Sequence, residues 1–189
     1  MTINCKGKLL NLDSPIVMGI LNVTPDSFYD GGNLSNEDKI IAKADQMLKE
    51  GATILDIGGY SSKPGAEEVS EKEEIERVVP AIKQIISQFP EAIISADTFR
   101  SAVAIEAVNA GASIINDISA GDLDPHMFAT VRELQVPYCI MHMQGNPKTM
   151  QENPTYENVV TEVFFSLSKK VELLRKMGVN DILIERSNP

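Results

Sequence analysis

Asn22, Asp56, Asp97, Asn116, His142 and Glu185 are the polar side chains on which six short apolar runs of this chain end. Carboxylates accept hydrogen bonds, carboxamides donate and accept, and an imidazole can take up a proton, so such a set can hold a polar ligand and stabilise charge beside it. Asp56 and Asp97 are the most informative, because an unpaired carboxylate in an apolar strand costs several kcal/mol. Each needs a donor, either from a ligand or from a structural ion pair. His142, between Met141 and Met143, reads equally as a hydrogen-bonded strand-end histidine or as a catalytic base. His126 reads as solvated surface.

Two loops adjoin these residues. Asn22 to Gly32 carries Pro25, Gly31, Gly32 and many polar groups. Phe28 and Tyr29 have no reason to sit in a solvated turn, so the segment suits closure over a substrate, with an ordinary surface loop as the alternative. Gly58 to Gly65 combines glycines, hydroxyls and Lys63, a composition able to cradle an anion through backbone N–H groups. It is not a Walker loop, and paired glycines after a strand also simply turn the chain.

The runs that position these groups are Ile16 to Leu21, Ile54 to Ile57, Ile93 to Ala96, Ser113 to Ile115, Tyr138 to Met141 and Ile182 to Ile184. Helix-length segments separate them, the pattern of a parallel sheet buried on both faces. Parallel strands end on one side, so the six polar residues converge on one rim, as in a barrel enzyme. The first dozen residues alternate weakly and predict a hairpin covering one end. Ser35 and Asp38 begin a first helix with apolar Ile40, Ile41, Ala44, Met47 and Leu48, ended by Gly51. Ser70 and Glu73 form a capping box for a second, with a buried face of Ile75, Val78, Val79, Ile82 and Ile86 and a kink at Pro80. A thin, Ala-rich third helix runs from Ser101 to Ala110. Asp124-Pro125 predicts the start of a fourth. A fifth, from Tyr156 to Met177, buries Val160, Val163, Phe164, Leu167, Val171 and Leu174. The connections after the first, second and fifth strands are long, which in compact domains points to function. Asp56, Asp97 and Asn116 together match the edge of a pterin or purine.

The 189 residues suffice for one domain, and no linker divides them. Seventeen basic against 27 acidic residues give a net charge of −10, which argues against a nucleic-acid partner. An anionic substrate would need a metal or a few placed cations. Cys5 and Cys139 have no metal spacing and are expected as reduced thiols. The N-terminus lacks a signal peptide's apolar stretch, and no run approaches the ~18 residues of a membrane span. A soluble, cytoplasmic chain without a membrane partner is expected.

Asn22-Val23-Thr24-Pro25-Asp26-Ser27-Phe28 with Asp30-Gly31-Gly32, Asp56-Ile57-Gly58-Gly59 through Pro64-Gly65, Asp97-Thr98, Asn116-Asp117-Ile118-Ser119 and Met141-His142-Met143-Gln144-Gly145 resemble dihydropteroate synthase. The likeness spans about the first 180 residues in order. It implies an α/β fold of the TIM (β/α)8-barrel type, of which about six βα units are present here as a single domain with an N-terminal hairpin. It also implies an enzyme of folate synthesis that joins 6-hydroxymethyl-7,8-dihydropterin diphosphate to 4-aminobenzoate and releases pyrophosphate, with sulfonamides competing for the aminobenzoate position. Carried over by residue, Asp56, Asp97, Asn116, Met143 and Glu185 would bind the pterin, and Asn22 would ligate Mg2+ on the diphosphate. Phe28, Ser62, Lys63 and Pro64 would form the aminobenzoate subsite. Asp97, Asn22 and Lys63 are the residues expected to act in catalysis.

Three departures qualify the resemblance. Tyr60-Ser61-Ser62-Lys63 stands where the family has Glu-Ser-Thr-Arg, replacing a forked guanidinium with a point charge. Glu185-Arg186-Ser187-Asn188-Pro189 takes the place of Asp-Pro-Gly-Phe-Gly, Glu185 imitating the aspartate with one more methylene. The family's Ser-Arg-Lys and Arg-x-His segments do not follow, so a C-terminally shortened form is expected, without the late helices through which family homodimers pair. Other readings are a non-catalytic pterin-binding fragment and a methyltetrahydrofolate-dependent methyltransferase of the same superfamily.

Overall fold

Residues 1–24, 36–60, 69–146, 149 and 154–185 are described by a computed structural model of the chain. Strands β1 (Thr2–Cys5) and β2 (Lys8–Asn11) form an antiparallel hairpin. There follow β3 (Val17–Asn22), α1 (Asn36–Lys49), β4 (Ala52–Gly58), α2 (Glu71–Gln88), β5 (Ile93–Asp97), α3 (Ser101–Ala110), β6 (Ile114–Asp117), α4 (Met127–Leu134), β7 (Tyr138–Met141), α5 (Val159–Lys176) and β8 (Ile182–Glu185). The last six strands make one parallel sheet in chain order. Each apolar run thus became a strand and each intervening segment a crossover helix, as the sequence predicts.

The period of two along each strand separates two faces. Leu55 and Ile57 of β4, Ile94 of β5, Ile115 of β6 and Ile140 of β7 share one cluster with the buried sides of the helices. Fully burying each such side chain contributes about 1.5–3 kcal/mol. On the opposite face, Ile54 and Ile114 meet Ile3, Cys5 and Leu10, with Met18, Ile93 and Leu183 packed alongside. The hairpin therefore plugs the end of the sheet where the parallel strands begin. Asn4 N donates to Asp181 Oδ2 at 2.9 Å, and Lys6 Nζ donates to the Val108 carbonyl at 2.9 Å. Cys5 and Cys139 are both free and buried.

Among the described residues β3 and β8 are the two outer strands and do not pair with each other. Ile20 of β3 is 65% exposed and Ile184 of β8 is 60% exposed, whereas β6 and β7 are buried throughout. Among the described residues, no helix is long and apolar enough to cross a membrane.

Three helices differ from expectation. The buried residues of α2 are Glu74, Val78, Ala81, Ile82 and Ile85, so the face is turned from the predicted one, and Ile75, Val79 and Ile86 flank it. The capping box at Ser70 and Glu73 is present, and the helix runs through Pro80 to Gln88. The fourth helix begins at Met127, after a turn at Pro125 and His126, rather than directly after Asp124; Asp124 Oδ1 accepts His126 N as a capping side chain does, and Oδ2 accepts Ser101 N of α3 at 2.6 Å. On α5 only Leu167 and Leu174 of the predicted face are buried; Val160 and Phe164 are 75% and 65% exposed. Its N-cap is Asn158, whose side chain accepts from Thr161 N.

Candidate functional site

Strand register decides which polar groups meet. Asn22 lies opposite Gly58, Gly58 opposite Asp97, and Asp97 opposite Asn116. Asp56 is paired with Ser95 one layer deeper, two residues before β4 ends at Gly58. All of these share the parity of Ile54, Ile93 and Ile114, the residues packed on the hairpin, so they stand on the inner face above an apolar plug. Gly58 makes the row possible: a Cβ there would lie 3.0 Å from Asp97 Oδ2 and 3.5 Å from Asn22 Oδ1. Only a residue without a side chain lets the Asn22 and Asp97 groups come together across β4.

Asn116 Nδ2 donates to Asp56 Oδ2 at 3.1 Å. Asp56 Oδ1, Asn116 Oδ1 and Ser95 Oγ, all buried, take no hydrogen bond from within the protein among the described residues. Two acceptors and a hydroxyl so placed fit a flat ligand carrying N–H donors. Burial raises the Asp56 pKa, with the neighbouring Ser95 hydroxyl and then the hydrogen bond from Asn116 pulling partly back. Asp97 is held well above the usual carboxylate range by burial and then by the charges of Asp56, Glu74 and Glu185. Glu185 is raised by burial and by Asp56. Three carboxyls crowded with few cations favour a ligand that donates hydrogen bonds or carries positive charge.

A cavity of about 1520 Å³ takes Asp97 of this row into its wall. Its wall includes Asp97, Met141, His142, Met143 and Glu185 from strand ends, Tyr60 and Phe99 from the turns after β4 and β5, and Val163, Phe164 and Leu167 from α5. The His142 ring nitrogen Nε2 lies 3.2 Å from the Tyr156 hydroxyl, and the two ring centroids are 5.9 Å apart. Burial lowers the His142 pKa, with the charge of Lys170 acting the same way. The residue is thus a hydrogen-bonded strand-end histidine. Burial and Glu185 push the Cys139 thiol up to about 12, so it is not a nucleophile at neutral pH.

Asn22, Asp97 and Asn116 come together as predicted, with Asp56 below them. Met143, two residues after β7, and Glu185 of β8 line the same cavity as Asp97. Phe28, Ser62, Lys63 and Pro64 lie outside the described residues, as does most of the two loops that contain them. Asp117, inside a motif that carried the resemblance, is structural: it accepts from Ser119 N, Ser119 Oγ, Gly121 N and, at 2.6 Å, from Tyr138 Oη. Sequence reasoning passed over Ser95 and Glu74. Ser95 was available from the period of two, since it falls on the same face as Ile93 and Asp97. Glu74 stands four residues before Val78, a charged position on the apolar stripe of α2.

Residues 18–185 match the protein family described as pterin binding enzyme. The dihydropteroate synthase of Haemophilus influenzae is 46% identical over 179 residues, which cover 95% of this chain and 64% of that protein. A Yersinia pestis dihydropteroate synthase solved as a sulfonamide drug complex superimposes with a TM-score of 0.89 at 42% identity, over 99% of this chain and 68% of that one. A Xanthomonas albilineans dihydropteroate synthase solved with 4-aminobenzoic acid gives 0.87 at 39% identity, over 98% and 68% of the two chains. This chain thus spans about two thirds of the length of the relatives it matches.

Proposed function

Because this chain belongs to the pterin-binding enzyme family, matching it over residues 18–185, we propose that it acts as a dihydropteroate synthase. It would join 6-hydroxymethyl-7,8-dihydropterin diphosphate to 4-aminobenzoate, giving 7,8-dihydropteroate and pyrophosphate, as a cytoplasmic enzyme of folate synthesis. The observation that carries this is the pair of unpartnered buried acceptors, Asp56 Oδ1 and Asn116 Oδ1, beside Asp97. A pterin offers a ring N–H and an exocyclic amino group, donors that these oxygens match. The similarity of the chain to named synthases supports this reading over a methyltetrahydrofolate-dependent methyltransferase.

Asp56, Asp97 and Asn116 hold the pterin ring from the inner face, Met143 lines the pocket and Glu185 adds a carboxylate from β8. As the C–O bond to diphosphate breaks, positive charge develops at the pterin methylene. The neighbouring carboxylates stabilise it through fixed, partly buried charges. The amine nitrogen then forms the C–N bond and gives up a proton. No protein nucleophile is required, and the contribution of the fold is positioning and electrostatics. Asn22 presents one carboxamide oxygen next to Asp97, and Mg2+ held mainly by diphosphate and water needs only one or two protein oxygens. The residue therefore fits the ion, which when bound neutralises the leaving diphosphate. Phe28, Ser62, Lys63 and Pro64 are assigned to the amine, the position at which a sulfonamide would compete.

Mg2+-dependent formation of dihydropteroate from the two substrates by this 189-residue chain tests the proposal. Turnover is expected, together with loss of pterin affinity in Asp97→Asn. Pterin binding without turnover would leave only a pterin-binding protein; unchanged affinity in Asp97→Asn would overturn the pterin assignment.

A further inference from the structure

Tyr60 and Val69 bracket the long connection between β4 and α2, and both are held by a side chain to which the pterin reading gives no task. Glu74 of α2 is fully buried. Its Oε1 accepts from Thr98 Oγ1 at 2.7 Å, and its Oε2 pairs with Arg100 Nη1. Arg100 Nη2 donates to the Val69 carbonyl at 2.8 Å. The Arg100 Cζ lies 5.5 Å from the Tyr60 ring centroid and 5.0 Å from that of Phe99. The two rings meet edge to face, with centroids 5.1 Å apart and an angle of 81° between planes. Behind them Arg77 Nη1 donates to the Gly59 carbonyl at 3.2 Å. A Cβ at Gly59 would lie 2.8 Å from Val78 Cγ2, so this segment is seated directly on α2.

One guanidinium therefore ties together the exit of β4, the entry to α2 and the turn after β5. Tyr60, Thr98 and Phe99 line the cavity beside Asp97. A guanidinium is planar and, with two N–H groups committed to different partners, cannot pivot freely, so rings in contact with it are held in place. Paired aromatic side chains lining a cavity offer an edge-and-face surface that suits a flat apolar ring.

We infer that Arg100 is a positioning residue: locked by Glu74 and Val69, it holds Tyr60 and Phe99 as a fixed aromatic wall, and that wall selects the aryl group of the attacking amine. The identity of the amine rests on the synthase proposal; the wall does not.

The 189-residue chain made with 3-fluorotyrosine carries a 19F label on each of its four tyrosines, and Tyr60→Phe identifies the resonance of Tyr60. Titration with 4-aminobenzoate, in the presence of 6-hydroxymethylpterin and pyrophosphate, which do not react, is expected to shift that resonance. Arg100→Met should weaken the apparent affinity about tenfold, equivalent to about 1.4 kcal/mol. Arg100→Lys, which keeps the charge on Glu74 without the flat fork, should fall between. In steady state Arg100→Met should raise KM for the amine, with KM for the pterin diphosphate and kcat changed less than about twofold. A Tyr60 resonance indifferent to 4-aminobenzoate in the parent chain overturns the inference. So does a parallel rise in both KM values, or a lowered Tm with neither KM moved. If Arg100→Met does not fold, Arg100→Lys carries the same measurements and Tyr60→Leu carries the two KM measurements. A parent chain that shows the Tyr60 shift without turnover overturns the synthase proposal and leaves the wall standing.

Discussion

The middle of the sheet and its margins are built from equally apolar sequence, yet they end in opposite surroundings. Strands β4, β5 and β6 have a strand on each side and helices α2 and α3 across one face, so Leu55, Ile94 and Ile115 are inaccessible to solvent. Strands β3 and β8 each have one strand neighbour, and Ile20 and Ile184 stay largely exposed among the described residues. Helix α5 behaves like the margins, keeping Leu174 inside while Val160, Phe164 and Phe165 face outward. Hydrophobicity sets what a residue can bury, and the number of neighbouring elements sets what it does bury. The polar rim follows the same division. Asp56, Ser95 and Asn116 are enclosed by the middle strands, whereas Asn22 sits exposed on β3.

The sharpest way to break this contrast is to remove the same kind of atoms from both regions. Ile94→Ala in the middle should cost about 2–5 kcal/mol, read by urea unfolding, because a closely packed site cannot collapse around the loss. Asp97→Asn should act on the pH profile. In the folded chain the carboxyls of Asp56, Asp97 and Glu185 hold protons more tightly than in the unfolded chain, so stability is greatest while they are protonated. It is then expected to fall as pH rises from about 4 through their raised values. Removing Asp97 should flatten that fall in a series of Tm measurements, each unit of pKa difference being worth about 1.4 kcal/mol. A profile unchanged in Asp97→Asn would show that the rim carboxyls are not coupled as described. Ser70→Ala, which deletes the cap of α2, should cost about 1 kcal/mol. Phe164→Ser on the exposed side of α5 should change stability by less than about 0.5 kcal/mol and reduce self-association in sedimentation, since large exposed apolar patches promote contacts between molecules. A destabilisation there comparable to that of Ile94→Ala would erase the distinction between middle and margin.

Much of this organisation was legible because it is local. Tyr138–Met141 as a strand, Ser101–Ala110 as a helix and the Ser70–Glu73 cap each depend on residues within a few positions of one another, and all three stand as predicted. The failures lie where a distant partner intervenes. Asp124 resembles an N-cap and accepts His126 N, but Ser101, 23 residues earlier, takes its second oxygen, and α4 starts only at Met127. Glu74 resembles a solvated charge, and Thr98 and Arg100, 24 and 26 residues later, satisfy its two oxygens and allow it to be buried. Val160 and Phe164 follow the helical period of a buried face, yet periodicity reports a stripe and not whether anything lies against it. In the site, the strand ends were visible because carboxylates inside apolar runs are anomalous. The Tyr60–Phe99–Arg100 assembly was not, since its members lie 40 residues apart and none is anomalous in its own neighbourhood.

The hairpin that plugs the inner face has a consequence in time. Asn4 leaves the ribosome well before its hydrogen-bond partner Asp181, which follows 177 residues later. At about 5–20 residues per second this interval is on the order of 9–35 s. During it the hairpin must wait with Ile3 and Leu10 still short of their full packing, so the floor of the pocket is made well before it is fastened.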